Sequence, residues 1–180
     1  MKRNLAKIAI VSLVAISIIS LVTVGYFVYV NNTYAKDSTY DRSLELVNDL
    51  RVENNFDGLD WNENLANAAQ DKVDDIIAKR YFQHTSPDGV KAWDFILKND
   101  YSYIYAGENL AIDYSSVDDA FAAWVDSPSH YKNLVSDKYQ EYGFAQGEGD
   151  VKGHTAKIYV QIFATHESGV NQLISYGEKY

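Results

Sequence analysis

Lys157-Ile158-Tyr159-Val160-Gln161-Ile162-Phe163-Ala164-Thr165 is the stretch that decides the fold class of this chain. In a strand, side chains alternate between faces. Ile158, Val160 and Ile162 then face one way, while Tyr159 and Phe163 face the other. Both faces are largely apolar, so water covers neither. The expected arrangement is a small antiparallel sheet with helices packed on both sides. Two more strands are expected at about 101–106 and 142–146. The glycine-rich run from Gly147 to Gly153 reads as the hairpin connection.

The helices that cover such a sheet are legible upstream. Leu44, Leu46, Val47 and Leu50 mark a first helix, ended by the turn sequence Phe56-Asp57-Gly58. Asp60, with Glu63 three residues later, has the form of a capping box. It opens a long helix with Leu65, Ala68, Ala69, Val73, Ile76 and Ile77 on one face. Ser86-Pro87-Asp88-Gly89 places proline and glycine where a tight turn wants them. Trp93, Ile96 and Leu97 mark a short third helix. Val117, Ala120, Phe121, Trp124 and Val125 follow the helical apolar period in a fourth, capped by Ser115 or Ser116 and ended by Pro128.

Ahead of this region, Ile8 to Val30 is 23 residues long and holds neither charge nor proline. As a helix it spans about 35 Å, enough for a bilayer core of about 30 Å. Lys2, Arg3 and Lys7 precede it, and the next charges are Lys36 and Asp37. That asymmetry keeps the amino terminus in the cytoplasm and sends the rest of the chain out. Two readings share this topology: a retained single-pass anchor, and an unusually long secretory signal cleaved after Thr33-Tyr34-Ala35. The expected organisation is an anchor or signal at 1–30, a polar linker at 31–41, a folded domain at 42–168 and a tail at 169–180. The domain then stands outside the cell membrane, or is secreted if the signal is cleaved.

The chain carries −9. The three basic residues are the only charges of the head, so the remainder stands at −12. A surface that acidic argues against nucleic acid as a partner and against polybasic docking on anionic lipid. There is no cysteine, which excludes disulfides, a thiolate metal site, a cysteine nucleophile and a lipidated cysteine anchor. No serine-nucleophile motif, HExxH pattern or phosphate loop is present.

Four histidines remain, and two stand out by context. One sits in His84-Thr85-Ser86-Pro87 and the other in Ser127-Pro128-Ser129-His130, where a proline-stiffened turn can aim an imidazole. Between them Gly107-Glu108-Asn109-Leu110-Ala111 ends a predicted strand and offers a carboxylate. The spacings of 24 and 22 residues match no local metal motif, so only the fold can bring the three together. His154, in the glycine-rich run, and His166, after the last strand, read as surface residues. Asn109 and Asn133 read as loop-holding side chains that bond to backbone.

Taken together these segments resemble bacterial members of the CAP superfamily, with its SCP-like extracellular domain. Eukaryotic relatives include cysteine-rich secretory proteins, venom antigen 5 and plant pathogenesis-related proteins. The resemblance runs from about Leu44 to His166. It is carried by Leu59-Asp60-Trp61-Asn62, by Phe82-Gln83-His84-Thr85-Ser86-Pro87-Asp88-Gly89 and by Gly107-Glu108-Asn109-Leu110-Ala111. Trp124 with Ser127-Pro128-Ser129-His130 and Asn133-Leu134 follows, then Glu141-Tyr142-Gly143 and Tyr159-Val160-Gln161-Ile162-Phe163.

What the resemblance implies is an α+β fold, an α–β–α sandwich around a small central antiparallel sheet. It also implies a cleft lined by two histidines and acidic residues, which in many relatives holds a divalent metal, often zinc. By position His84, Glu108 and His130 match three of the four cleft residues. The fourth, a glutamate, falls on Ser127 here, and Ser129 and Tyr131 stand where bacterial relatives usually carry glycine and arginine. Gln161 is expected to reach the same cleft. Two imidazoles and one carboxylate still form a sensible zinc set. Glu108 then serves as ligand, as a partner to the ligands or as a general base on bound water; alternatively it braces the fold. Two functions follow from the resemblance: a tethered binding module for lipid, wall or surface ligands, and a divalent-metal-dependent hydrolase of the peptidase kind. The missing carboxylate favours the first.

Overall fold

The structure is a computed structural model and describes residues 38–167. The apolar segment 8–30 and the tail 169–180 lie outside the described residues. Among those described, no helix is long and apolar enough to cross a membrane. In chain order the elements are α1 (38–53), β1 (Asp60–Trp61), α2 (Glu63–Lys79), α3 (Ala92–Lys98), β2 (Tyr103–Ile112), α4 (Val117–Asp126), α5 (Pro128–Leu134), β3 (Glu141–Val151) and β4 (His154–His166). Helix α1 takes in 38–41, which the sequence reading gives to the linker.

The sheet order is β1-β3-β4-β2, with β1 parallel to β3 and the remaining pairs antiparallel. The decisive stretch 157–165 is therefore an interior strand, and the alternation expected of it holds. Ile158, Val160, Ile162 and Ala164 pack with Leu65, Ala69, Val73 and Ile76 of α2 and with Phe95 and Ile96 of α3. Tyr159 and Phe163 pack on the opposite face with Val47 of α1, Ala120 and Trp124 of α4, and Leu134 of α5. The result is a mixed α+β sandwich with a core on each side of one sheet.

Three local expectations change. The cap of α2 is Asn62, whose side chain accepts from the Asn64 and Leu65 amides at 2.9 and 3.2 Å. Asp60 does not fill that role because its backbone is committed to β1, donating to Gln140 O at 2.9 Å. Strand β2 continues six residues beyond its expected end, so Glu108 lies inside a strand and not after one. The run Gly147 to Gly153 is mostly strand as well. Only Lys152 and Gly153 turn, both at positive φ, as a two-residue hairpin requires.

Those glycines have a packing cause. A Cβ on Gly147 would stand 2.5 Å from Val73 Cγ1, and one on Gly149 would stand 2.5 Å from Ile77 Cγ2. On Gly143 it would lie 2.2 Å from the backbone carbon of Leu65. Along this face β3 presents almost no side chain, so α2 lies directly on the sheet backbone. Its inward residues then pack against β3 and β4.

Gly143→Ala has backbone, not a flexible side-chain end, to displace, and it is expected to cost more than about 3 kcal/mol. Gly153→Ala meets no atom within 4 Å and loses only the freedom of a positive φ, about 1 kcal/mol. Urea unfolding of the two variants checks this, and equal midpoints would contradict the close approach.

Candidate functional site

The site is built along the outer edge of β2. The Glu108 side chain is 2% exposed, and its Oε1 accepts from Nδ1 of His84 at 2.5 Å. Glu108 lies opposite Ile162 in the ladder and so shares the α2 side of the sheet. The residue before it must be small, because a Cβ on Gly107 would meet the Tyr139 hydroxyl at 2.5 Å. The strand edge itself is closed by side chains. Tyr139 OH, Asn133 Nδ2 and Trp124 Nε1 donate to the carbonyls of Ala106, Glu108 and Leu110 at 3.3, 3.2 and 3.0 Å. A covered edge is one of the ways proteins avoid unwanted strand pairing.

His84 arrives from a loop whose two ends are both fixed. Helix α2 stops at Arg80, which takes a left-handed conformation, and Tyr81 then donates back to Ile76 O at 3.2 Å. Beyond His84 the expected turn is present: Gly89 N donates to Ser86 O at 3.0 Å, and Val90 N to Ser86 Oγ at 3.0 Å. His130 arrives from α5, a helix the sequence reading leaves out. Pro128 occupies its first turn, a position that proline favours. Asn109 Nδ2 donates to His130 O at 3.3 Å and to Gln161 Oε1 at 3.1 Å, while Asn133 Nδ2 reaches Asn109 Oδ1 at 2.9 Å. The bracing role expected of the two asparagines is thus seen.

Two cavities open on this line of groups. One of about 320 Å³ is lined by His84, Glu108, Lys91, Trp93, Asn133 and Tyr139. The other, of about 260 Å³, is more apolar and is lined by Phe82, Leu110, Tyr114, Trp124, Ser127 and His130. A larger cavity of about 650 Å³ lies among Arg51, Asp57, Asp137 and Glu141. Two of its ionic groups are already engaged: Arg51 donates to backbone carbonyls, and Glu141 accepts from Asn62 and Tyr101.

The electrostatics separate the two histidines. The Glu108 hydrogen bond raises His84 above the ordinary imidazole value, against a smaller lowering from burial. Burial lowers His130, and the charge of His84 adds to that effect. His84 is thus held towards the charged form and His130 towards the neutral one. Glu108 Oε2 and His130 Nδ1 are buried and have no hydrogen-bond partner among the described residues.

The donors implied by the family resemblance are therefore present, but one carboxylate oxygen is committed to His84. Among the described residues no three His, Cys, Asp or Glu side chains are arranged to hold a metal ion. The other expected residues are placed as follows. Ser127 joins α4 to α5 at the rim of the apolar cavity, and its hydroxyl meets Ser129 Oγ at 3.2 Å. Gln161 is fully buried on the α4/α5 side and touches the site only through Asn109. His154 is on the surface beside Asp113, whereas His166 ends β4 and packs edge-on against Tyr101. The sequence reading missed Lys72, which is fully buried and donates to the carbonyls of Gln83 and His84. The available signal was a lysine three and four residues from Ala69 and Ala68, on the apolar face of α2.

Comparisons with known proteins bear on the family and the fold. The pattern describing the CAP, or cysteine-rich secretory protein, family matches residues 44–163. The chain is 31% identical over 107 residues to the uncharacterized protein YkwD of Bacillus subtilis, a stretch covering 59% of this chain and 42% of YkwD. It is 29% identical over 120 residues to the uncharacterized membrane protein YlbC of the same organism, covering 67% of this chain and 32% of YlbC. The chain thus spans less than half the length of either relative. The crystal structure of an extracellular protein containing an SCP domain from Bacillus anthracis superposes with a TM-score of 0.62 at 26% identity, over 72% of this chain and 41% of that one. The family pattern takes in two thirds of the residues, both cores and every element of the cleft, and the chain belongs to the cysteine-rich secretory protein (CAP) family.

Proposed function

We propose that this chain is an extracytoplasmic binding module, held at the membrane by the apolar segment 8–30, that takes lipid, cell-wall or surface ligands in the cleft between His84, Glu108 and His130. The observation that carries the reading is the pair of buried, unpartnered atoms, Glu108 Oε2 and His130 Nδ1, beside two cavities. Unpaired buried polar atoms are costly, and a guest that supplies their partners recovers that cost. A cavity with a carboxylate and an imidazole on its wall, next to one lined mostly by apolar side chains, suits a ligand with a hydrogen-bonding head and an apolar body. The name of YlbC as a membrane protein and the extracellular Bacillus anthracis protein support the location.

The same groups allow a second occupant and a second use. Zinc or another divalent cation finds two imidazoles and a carboxylate here, and that is the donor set from which a metal-dependent hydrolase is built. Binding is the better-supported reading, because one oxygen of Glu108 already serves His84 and Ser127 supplies no carboxylate.

The full chain in detergent, titrated calorimetrically with dispersed phospholipid, with soluble wall fragments and with zinc chloride, checks this directly. The expected result is saturable binding of phospholipid or wall fragments that Glu108→Ala weakens by at least about tenfold, the loss of one charge-assisted hydrogen bond. Turnover of a peptide mixture that depends on zinc and on Glu108 would establish the hydrolase instead. The protonation states give a separate test. A raised His84 contributes its stability in full below about pH 6.5 and loses it as pH rises through the raised value. A lowered His130 acts in the opposite sense, costing stability as pH falls below about 6.5. The Tm gap between wild type and His84→Ala is therefore expected to be wider at about pH 5.5 than at about pH 9. His130→Ala should gain on wild type over the same acidification. A His84 gap that does not change with pH would contradict the assignment.

A further inference from the structure

Lys72 points from α2 into the apolar layer between Ala69 and Val73 and is 0% exposed. An ammonium in such a place is tolerated only when its protons find acceptors. It makes three bonds: to the Tyr81 hydroxyl at 2.9 Å, to Gln83 O at 3.0 Å and to His84 O at 2.9 Å. It also lies 4.9 Å from the centre of the Tyr81 ring, and Tyr81 OH donates onward to Asp75 Oδ2 at 2.7 Å. Burial lowers the Lys72 ammonium below the ordinary lysine value, and the nearby charges of Glu108 and Asp75 oppose that lowering.

The two carbonyl bonds have a specific geometric consequence. Gln83 O belongs to the peptide plane before the Cα of His84, and His84 O belongs to the plane after it. One ammonium thus holds both planes that flank His84, and two held planes fix the φ and ψ between them. Side-chain packing cannot do this work, because the His84 side chain is 63% exposed. An imidazole that stands in solvent yet meets a buried carboxylate at 2.5 Å must be aimed from its backbone.

We infer that Lys72 is a positioning residue for this cleft, setting the backbone torsions of His84 and with them the reach of its imidazole to Glu108. The importance of this role rests on the reading of the cleft as a binding site, but its test needs no ligand. A negative result in the binding titrations therefore leaves it standing, and its own failure leaves the titrations standing.

The test is NMR on the full chain in detergent micelles, with uniform 13C and 15N labelling. Wild type should show through-hydrogen-bond couplings from Lys72 Nζ to the carbonyl carbons of Gln83 and His84. It should also show a slowly exchanging His84 Nδ1 proton far downfield. Lys72→Met should lose the Nδ1 signal and at least about tenfold of amide protection over residues 82–86, while amides in β4 keep theirs. Tyr81→Phe removes a buried bond of the same ammonium but neither carbonyl bond, and it should keep the Nδ1 signal. Absence of the couplings in wild type would overturn the inference, whether or not Lys72→Met folds. Retention of the Nδ1 signal in a folded Lys72→Met would overturn it too, and so would its loss in Tyr81→Phe, which would mark a merely structural part for the lysine.

Discussion

A carboxylate shut inside a protein wall sets the terms for everything around it. Glu108 has 2% of its side chain in contact with solvent, and the hydrogen bond from His84 stands in for the water it has lost. Charge-assisted bonds of this kind are about twice as strong as neutral ones, but only at short range and good alignment. The surrounding architecture supplies that alignment. Helix α2 rests on a strip of glycines in β3, and its Lys72 bonds to the loop that carries His84.

The cleft has two unlike sides because β2 is an edge strand whose residues alternate. Even-numbered Glu108 faces the α2 layer, with its lysine and an imidazole held towards the charged form. Odd-numbered Asn109 faces the α4/α5 layer, where neutral amides tie His130 and Asn133 together. One side is therefore organised by charge and the other by neutral hydrogen bonds. The burial-lowered His130 belongs with the second. The cleft thus has a carboxylate acceptor at one end and, at the other, an imidazole held towards the neutral form beside a mostly apolar cavity. That division follows from the two-residue period of a strand and needs no special local structure.

Much of this was legible in the sequence. Alternating apolar residues on both faces of 157–165 specified helices on both sides of the sheet, and Pro87 and Pro128 pointed to His84 and His130. What was not legible has physical causes. The run from Gly147 looks like a loop because the usual role of glycine is turning, whereas here it makes room for Val73 and Ile77. Glu108 and Asn109 interrupt the apolar pattern of β2, so the strand reads as ending where its buried polar residues begin. Helix α5 has only seven residues and buries only Leu134, too little for a periodic signal. Lys72 hides inside such a signal, since a lysine on an apolar helix face is ordinarily read as reaching for solvent. The apolar segment 8–30 is the strongest feature of the sequence and lies outside the described residues.

The central claim is that Glu108 and His84 act as one unit, and a double-mutant cycle measures that unit directly. Urea unfolding of wild type, His84→Ala, Glu108→Gln and the double variant at about pH 6 yields the coupling energy, with the imidazole still largely charged. The expected coupling is at least about 1 kcal/mol, with the second substitution costing much less once the first is made. Additive costs, with no coupling, would contradict it.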